Sequence, residues 1–152
     1  MTYWFEEEEG KQILSLENAA ILEKFPGTNP KPVFVDIEGE KHFGYQCTLT
    51  TNFEGLIKKL RVFVVYNNDY ITNFDIKVFP LEVLDKNDHP TGEVLKTQVS
   101  FHRYSDGHLC LFYAPAVNPR KFSIVTILTW ASTWWWCYNY KKKYGSWPAH
   151  EK

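Results

Sequence analysis

At 152 residues the chain has room for one compact core, and a single domain over residues 1–152 is the expectation. Hydrophobic residues make up 44%, aromatics 17% and charged residues 23%, which excludes an intrinsically disordered chain and supplies enough rings for a surface or groove as well as a core. The formal net charge of -1 removes the broad basic field of a general nucleic-acid binder, so no nucleic-acid partner is expected.

The chain opens on Glu6-Glu7-Glu8-Glu9, not on a basic and then apolar stretch. No export signal is therefore read, the run is taken as a solvated segment, and a cytoplasmic location is expected. Ser15 can cap a helix whose apolar positions Leu16, Ala19, Ala20 and Ile21 continue to Phe25, where Pro26-Gly27, Pro30 and Pro32 stop it. Four β-branched and aromatic runs follow, Val33 to Ile37, Phe43 to Thr50, Leu60 to Tyr66 and Phe74 to Phe79, with polar turns such as Asn67-Asn68-Asp69 between them. They predict a four-stranded antiparallel meander. Leu81 to Ser100 is polar, carries His89-Pro90 and Gly92, and reads as a crossing loop with room for a short strand near Val94 to Val99. Beyond Pro115 and Pro119, apolar residues at Ile124, Ile127, Leu128, Ala131, Trp134, Trp135 and Tyr138 keep the three-and-four spacing of one helical face, and that helix should lie across the sheet. The fold class is thus α+β. Trp130, Trp136 and Trp147 fall off the stripe and are candidates for a second packing surface or a partner contact.

The apolar run from Phe122 to Tyr138 contains Ser123, Thr126, Thr129, Ser132 and Thr133, short of the ~20 apolar residues of a spanning helix. No membrane association is expected; an interfacial helix would rest only on tryptophans beside Lys141, Lys142 and Lys143. There is no internal repeat and no phosphate-cradling glycine loop, so no cofactor is expected, and any ATP-driven step belongs to another protein.

Three cysteines, Cys47, Cys110 and Cys137, stand apart without a Cys-x-x-Cys pair, which disfavours structural disulfides and a zinc ribbon. Cys110 follows the polar turn Ser105-Asp106-Gly107-His108 within apolar flanks, the setting of a displayed nucleophile, whereas Cys47 and Cys137 read as core thiols. His102, His108 and Cys110 make a poor metal site because ligands one residue apart rarely converge on a tetrahedron, so no metal is assigned. His42, His89 and His150 read as solvent-facing.

Helix, four-stranded meander, crossing loop, cysteine segment and helix is an order that resembles the ubiquitin-conjugating enzymes, over nearly the whole chain. Asn68-Asp69-Tyr70 between the third and fourth strands looks like that family's Asp-Tyr-Pro turn. Phe101-His102, followed by Ser105 to Leu111, is similar to its His-Pro-Asn element running into Asn-Gly-x-Ile-Cys-Leu; Pro119 and the helix from Ser123 resemble its Trp-Ser-Pro turn and the helix beyond. Two features depart from the pattern. His102 lies eight residues before Cys110, a shorter spacing than the family's, and Arg103-Tyr104 stand where Pro-Asn would be, so the oxyanion-stabilising asparagine is missing at its motif position. The tail from Tyr140 to His150 looks like the terminal element of bacterial versions, as in CBASS antiphage operons of the short type.

The resemblance implies a thioester on Cys110 with the C-terminus of a protein partner, a cGAS-like cyclic-oligonucleotide synthase, passed on to a target amine; an activating enzyme, if used, is separate. The thiolate is the nucleophile, and a thiol of pKa ~8.5 needs only modest activation at neutral pH. His108 would share a face of an extended strand with Cys110 and His102 would sit across the turn, so either could move the proton. Backbone amides near Cys110, the Asn118 amide or the Tyr113 hydroxyl are the candidate oxyanion donors. The alternative is a catalytically inactive variant of the same fold that binds a protein through its aromatic surface.

Overall fold

The computed structural model describes residues 2–70, 75–96, 101–104, 106–109, 111 and 124–148. A 3-10 turn at Trp4–Glu6 leads into helix α1, Glu8–Lys24, then strands β1 (Lys31–Ile37), β2 (Glu40–Phe53), β3 (Leu56–Tyr66) and β4 (Ile76–Leu84), and finally helix α2, Ile124–Tyr144. The strands form one antiparallel sheet in the order β1-β2-β3-β4, the expected meander between an N-terminal and a C-terminal helix.

Helix α1 starts seven residues before the expected Ser15 cap. Glu8 and Glu9 occupy its first turn and Lys24 its last, the charge order that the helix dipole favours, and the Tyr3–Glu6 capping interaction feeds the chain into it. The buried seam is also different: Leu14 and Ile21 face the core, while Leu16 is 73% exposed and Ala19 lies outside. A seven-residue interval around a helix selects that narrower seam over the Leu16-Ala19 pair.

Two hairpin turns set the register of the sheet. Glu38-Gly39 between β1 and β2, and Glu54-Gly55 between β2 and β3, each hold two successive residues at positive φ (53° and 85°, 53° and 88°), the two-residue turn that matches strand twist. In both, an Asx side chain three residues before the glycine accepts its N–H, Asp36 at 3.0 Å and Asn52 at 2.9 Å. Strand β4 runs five residues beyond the expected Phe79 end, through Pro80. Proline is tolerated there because β4 is the last strand in the sheet order and the register shifts beside Val62, the partner of Pro80. The crossing loop accordingly begins later than expected, and Thr91 to Lys96 form no strand.

Alternation along the strands sends Phe43, Tyr45, Cys47 and Leu49 of β2 and Leu60, Val62, Val64 and Tyr66 of β3 toward the helices. All seven expected stripe residues of α2 are buried, and the Trp135 indole donates to the Lys58 carbonyl at 3.0 Å, which fixes the helix on the sheet. Among the described residues no helix is long and apolar enough to cross a membrane.

A carboxylate ties these layers together. Glu17 accepts the Tyr66 hydroxyl (2.9 Å), the Tyr70 hydroxyl (3.0 Å) and the first amide of α2, Ile124 (3.3 Å). Burial raises its carboxyl above the ordinary value, against the pull of those three donors.

Candidate functional site

The described residues 103–104 and 106–109 turn against β4. Arg103 and Leu109 pair as an antiparallel bridge, the Tyr104 and Gly107 amides donate to the His108 and Tyr104 carbonyls at 2.9 Å, and the Leu109 amide docks on the Val78 carbonyl at 2.9 Å. Leu109 is buried and Leu111 packs against the core, so both described neighbours of Cys110 in the sequence anchor on the sheet.

His108 is held from several sides. One oxygen of Asp106 accepts its backbone N–H at 3.0 Å and also meets its imidazole Nδ1. The ring stacks on Tyr104 with centroids 4.3 Å apart and meets the Phe79 ring at 5.9 Å. With Nδ1 engaged, exchange of a proton with a substrate falls to Nε2. Burial, the largest single influence on Asp106, raises its carboxyl, but the His108 amide and imidazole together with Lys77, 3.8 Å away, bring it below the ordinary value. It stays ionised at neutral pH and holds the ring.

His102 lies elsewhere. Its backbone is left-handed (φ 57°), its ring stacks on Trp147 at 4.3 Å, and its carbonyl accepts the Trp134 indole at 3.1 Å. Burial, then the nearby Lys141 charge, lowers its pKa, so the ring is neutral at pH 7. His102 belongs to the packing against α2, and His108 to the turn on β4.

Two cavities flank the turn. One of about 210 Å³ is lined by Asp75, Lys77, Tyr104, His108, Leu109 and Leu111. The other, about 570 Å³, is a groove on the sheet face turned away from α2, floored by Val35, Ile37, Phe63, Val65 and Phe79, with Asp106 and Gly107 on its rim. Asp75 and Lys77 border both.

The family model for the type II CBASS E2 protein matches residues 45–152, a span that holds most of β2, then β3, β4, the turn, Cys110 and α2. The chain belongs to that family. A solved structure titled as the yeast vps23 UEV domain in complex with a vps27 PSDP peptide matches with a TM-score of 0.58 at 12% identity, covering 95% of this chain and 86% of that one. That likeness is one of fold, and the UEV domain is E2-like. No curated protein sequence matches the chain. Membership of the CBASS E2 family supports a conjugating-enzyme-like role in CBASS, with a protein partner from that system.

Of the residues that the sequence singles out in this CBASS E2 chain, Cys110, Tyr113 and Asn118 lie outside the described residues. His108 stands in the turn rather than in a continuous strand, and nothing brings His102 to it. Trp130, Trp136 and Trp147 are all half-buried: Trp136 packs on Phe53 and Tyr140, and Trp147 on His102 and Trp134. Cys47 is buried, and burial pushes its thiol up to about 12; the half-buried Cys137 thiol is raised for the same reason. His89 is exposed, His42 is half-buried at the groove and His150 is not among the described residues. Sequence reading treated Asp106 only as a turn residue. The signal that could have found it is the Asp-x-His spacing, which lets one carboxylate cap the turn and reach the ring.

Proposed function

We propose that Cys110 accepts the C-terminal acyl group of a protein partner as a thioester, with His108, held by Asp106, as its proton carrier. The observation that carries this reading is the Asp106–His108 pair two residues before Cys110, beside a cavity. The other two thiols are less suited to the role, since burial pushes Cys47 up to about 12 and raises Cys137 as well. In the first step the Cys110 thiolate attacks the carbonyl carbon of a carboxyl terminus already activated as an acyl adenylate or thioester by a separate protein. The S–C bond forms, AMP or the donor thiol departs, and the proton left by the Cys110 thiol passes to His108 Nε2 or to solvent. An acceptor amine then attacks the thioester, loses a proton to Nε2 and forms an amide as the Cys110 thiolate leaves. The partner fitting this chemistry is a cyclic-oligonucleotide synthase with an extended C-terminus, as the family's operon setting implies.

The test is mass spectrometry of the protein purified with the synthase encoded beside it, comparing wild type, Cys110→Ser and Cys110→Ala. A thiol-labile adduct on wild type that becomes a hydroxylamine-sensitive ester in the serine variant and is lost in the alanine variant is the expected result. A complex that persists in all three with no adduct sinks the enzymatic reading.

A second reading has its own support. The likeness to a UEV domain, the aromatic Tyr104 in place of the motif asparagine and the 570 Å³ groove favour a binding module that holds a partner without acylation. Trp130, Trp136 and Trp147 would contribute through their exposed edges.

A further inference from the structure

We infer that Arg103 is the positioning residue of this site: its guanidinium clamps the turn that presents Asp106 and His108. The inference rests on the proposed role of His108. Nε and Nη2 of Arg103 both donate to the Gly107 carbonyl, at 3.1 and 3.0 Å, and Nη1 donates to the Lys96 carbonyl at 2.9 Å. Two donors converging on one acceptor, with a third pointing to another segment, is a pattern that the planar guanidinium forms and an ammonium on a flexible stem does not. Gly107 sits between Asp106 and His108, so the clamp acts on the Gly107–His108 peptide, one of the two peptide units that set the Asp106 carboxylate and the His108 ring relative to each other.

The other end of the clamp is grounded. Lys96, whose carbonyl Arg103 engages, gives its own N–H to the Tyr138 hydroxyl at 3.0 Å, and Tyr138 is fully buried in α2. A continuous path of hydrogen bonds therefore runs from α2 through Tyr138, Lys96 and Arg103 to Gly107, and so to the Asp106–His108 pair. Gly107 itself is at φ 99°, with Arg103 Nη2 only 3.3 Å from where a Cβ would lie, so the clamp and the glycine are matched to each other. Among the described residues the turn also closes through the Tyr104 and Gly107 amides, and the Arg103 fork adds a side-chain brace to that main-chain pairing. Arg103 stands at the position where the resembled motif carries proline; here a guanidinium fork provides the rigidity.

The test uses the full chain with Arg103→Lys and Arg103→Ala, and reads two signals. Nitrogen-15 NMR of the imidazoles reports the His108 tautomer, and peptide-resolved mass spectrometry gives the pH profile of Cys110 alkylation by iodoacetamide. Wild type is expected to show a single Nδ1–H tautomer for His108. Both variants should mix tautomers, change the pH profile of alkylation and slow the reaction near pH 7 by up to about a hundredfold, and lysine should not rescue. His108 locked in one tautomer with an unchanged pH profile in Arg103→Lys overturns the inference, and that variant keeps charge and length should the alanine variant fold poorly. The tautomer readout is independent of acyl transfer, so a missing thioester adduct with a displaced tautomer refutes the proposed reaction and leaves the clamp standing.

Discussion

Replacing Glu17 by alanine removes the one acceptor shared by Tyr66, Tyr70 and the first amide of α2. Each donor then loses a hydrogen bond worth about 1 kcal/mol net, more where it cannot reach water, which places the loss near 3 kcal/mol. Glu17→Gln keeps the shape and one oxygen, and its amide nitrogen meets a hydroxyl that can rotate to accept, so its cost at neutral pH is about 1 kcal/mol. The two variants differ further in pH dependence, and the sign follows from the raised carboxyl. Because the folded state binds the Glu17 proton more tightly than the unfolded chain, the stability gained from protonation is fully present below about 4.5 and is lost as pH rises through the folded pKa. Urea unfolding of wild type and Glu17→Gln across pH 4 to 7.5 isolates it: the wild-type stability relative to the glutamine variant should fall with rising pH and then level off. A difference that stays flat across the range, or an alanine variant within 1 kcal/mol of wild type, refutes the picture of a largely desolvated carboxylate holding three donors.

Asp106→Asn frees the His108 ring from its anion and should slow formation of the Cys110 adduct by about tenfold or more at pH 7, measured as initial rates with the partner synthase. Cys47, with its thiol pushed up to about 12, should resist iodoacetamide at pH 8 in the folded protein and react once urea is added; peptide mass spectrometry that finds it labelled as fast as in urea contradicts its packing. Leu128→Ala, at a site with no exposure, should cost about 2 to 5 kcal/mol in urea unfolding, whereas Leu16→Ala, on the open face of α1, should stay within about 0.5 kcal/mol of wild type.

The legible part of the fold is the part governed by periodicity. Ile124, Ile127, Leu128, Ala131, Trp134, Trp135 and Tyr138 could be read as one buried face because a long helix repeats its signal over about four turns. Helix α1 carries its buried seam on Leu14 and Ile21, and the exposed Leu16 and Leu22 supply a competing pattern, so its start lies earlier than expected and, of the four expected apolar positions, Ile21 alone is fully buried. Glu17 was invisible for a different reason: a glutamate on a helix reads as solvent-facing, and only the tertiary fold brings two tyrosines and an amide 107 residues away to it. The chain extension of β4 through Pro80 was likewise hidden, since proline argues against a strand unless the strand is known to lie at an edge.

The site shows the same division between local and tertiary information. From sequence, His102 and His108 were nearly equivalent, both histidines within a short reach of Cys110. Packing separates them: His102 spends its ring on Trp147 and its carbonyl on Trp134, while His108 keeps a carboxylate on one ring nitrogen and borders a cavity with Tyr104, Leu109 and Leu111. A neutral imidazole sealed against an indole is a packing element, and an imidazole oriented by an ionised aspartate is equipped to take a proton. On the proposed reading, the Pro-Asn pair missing from the resembled motif is replaced rather than simply lost. Arg103 brings the rigidity and Tyr104 a stacking face for His108, so the two substitutions support the ring that the motif's histidine position does not provide. That argument has a sharp consequence: Tyr104→Asn, which restores the motif's residue, should loosen His108 and lower the rate of Cys110 alkylation near pH 7, and a gain in acyl transfer instead would assign the site to oxyanion chemistry at Tyr104.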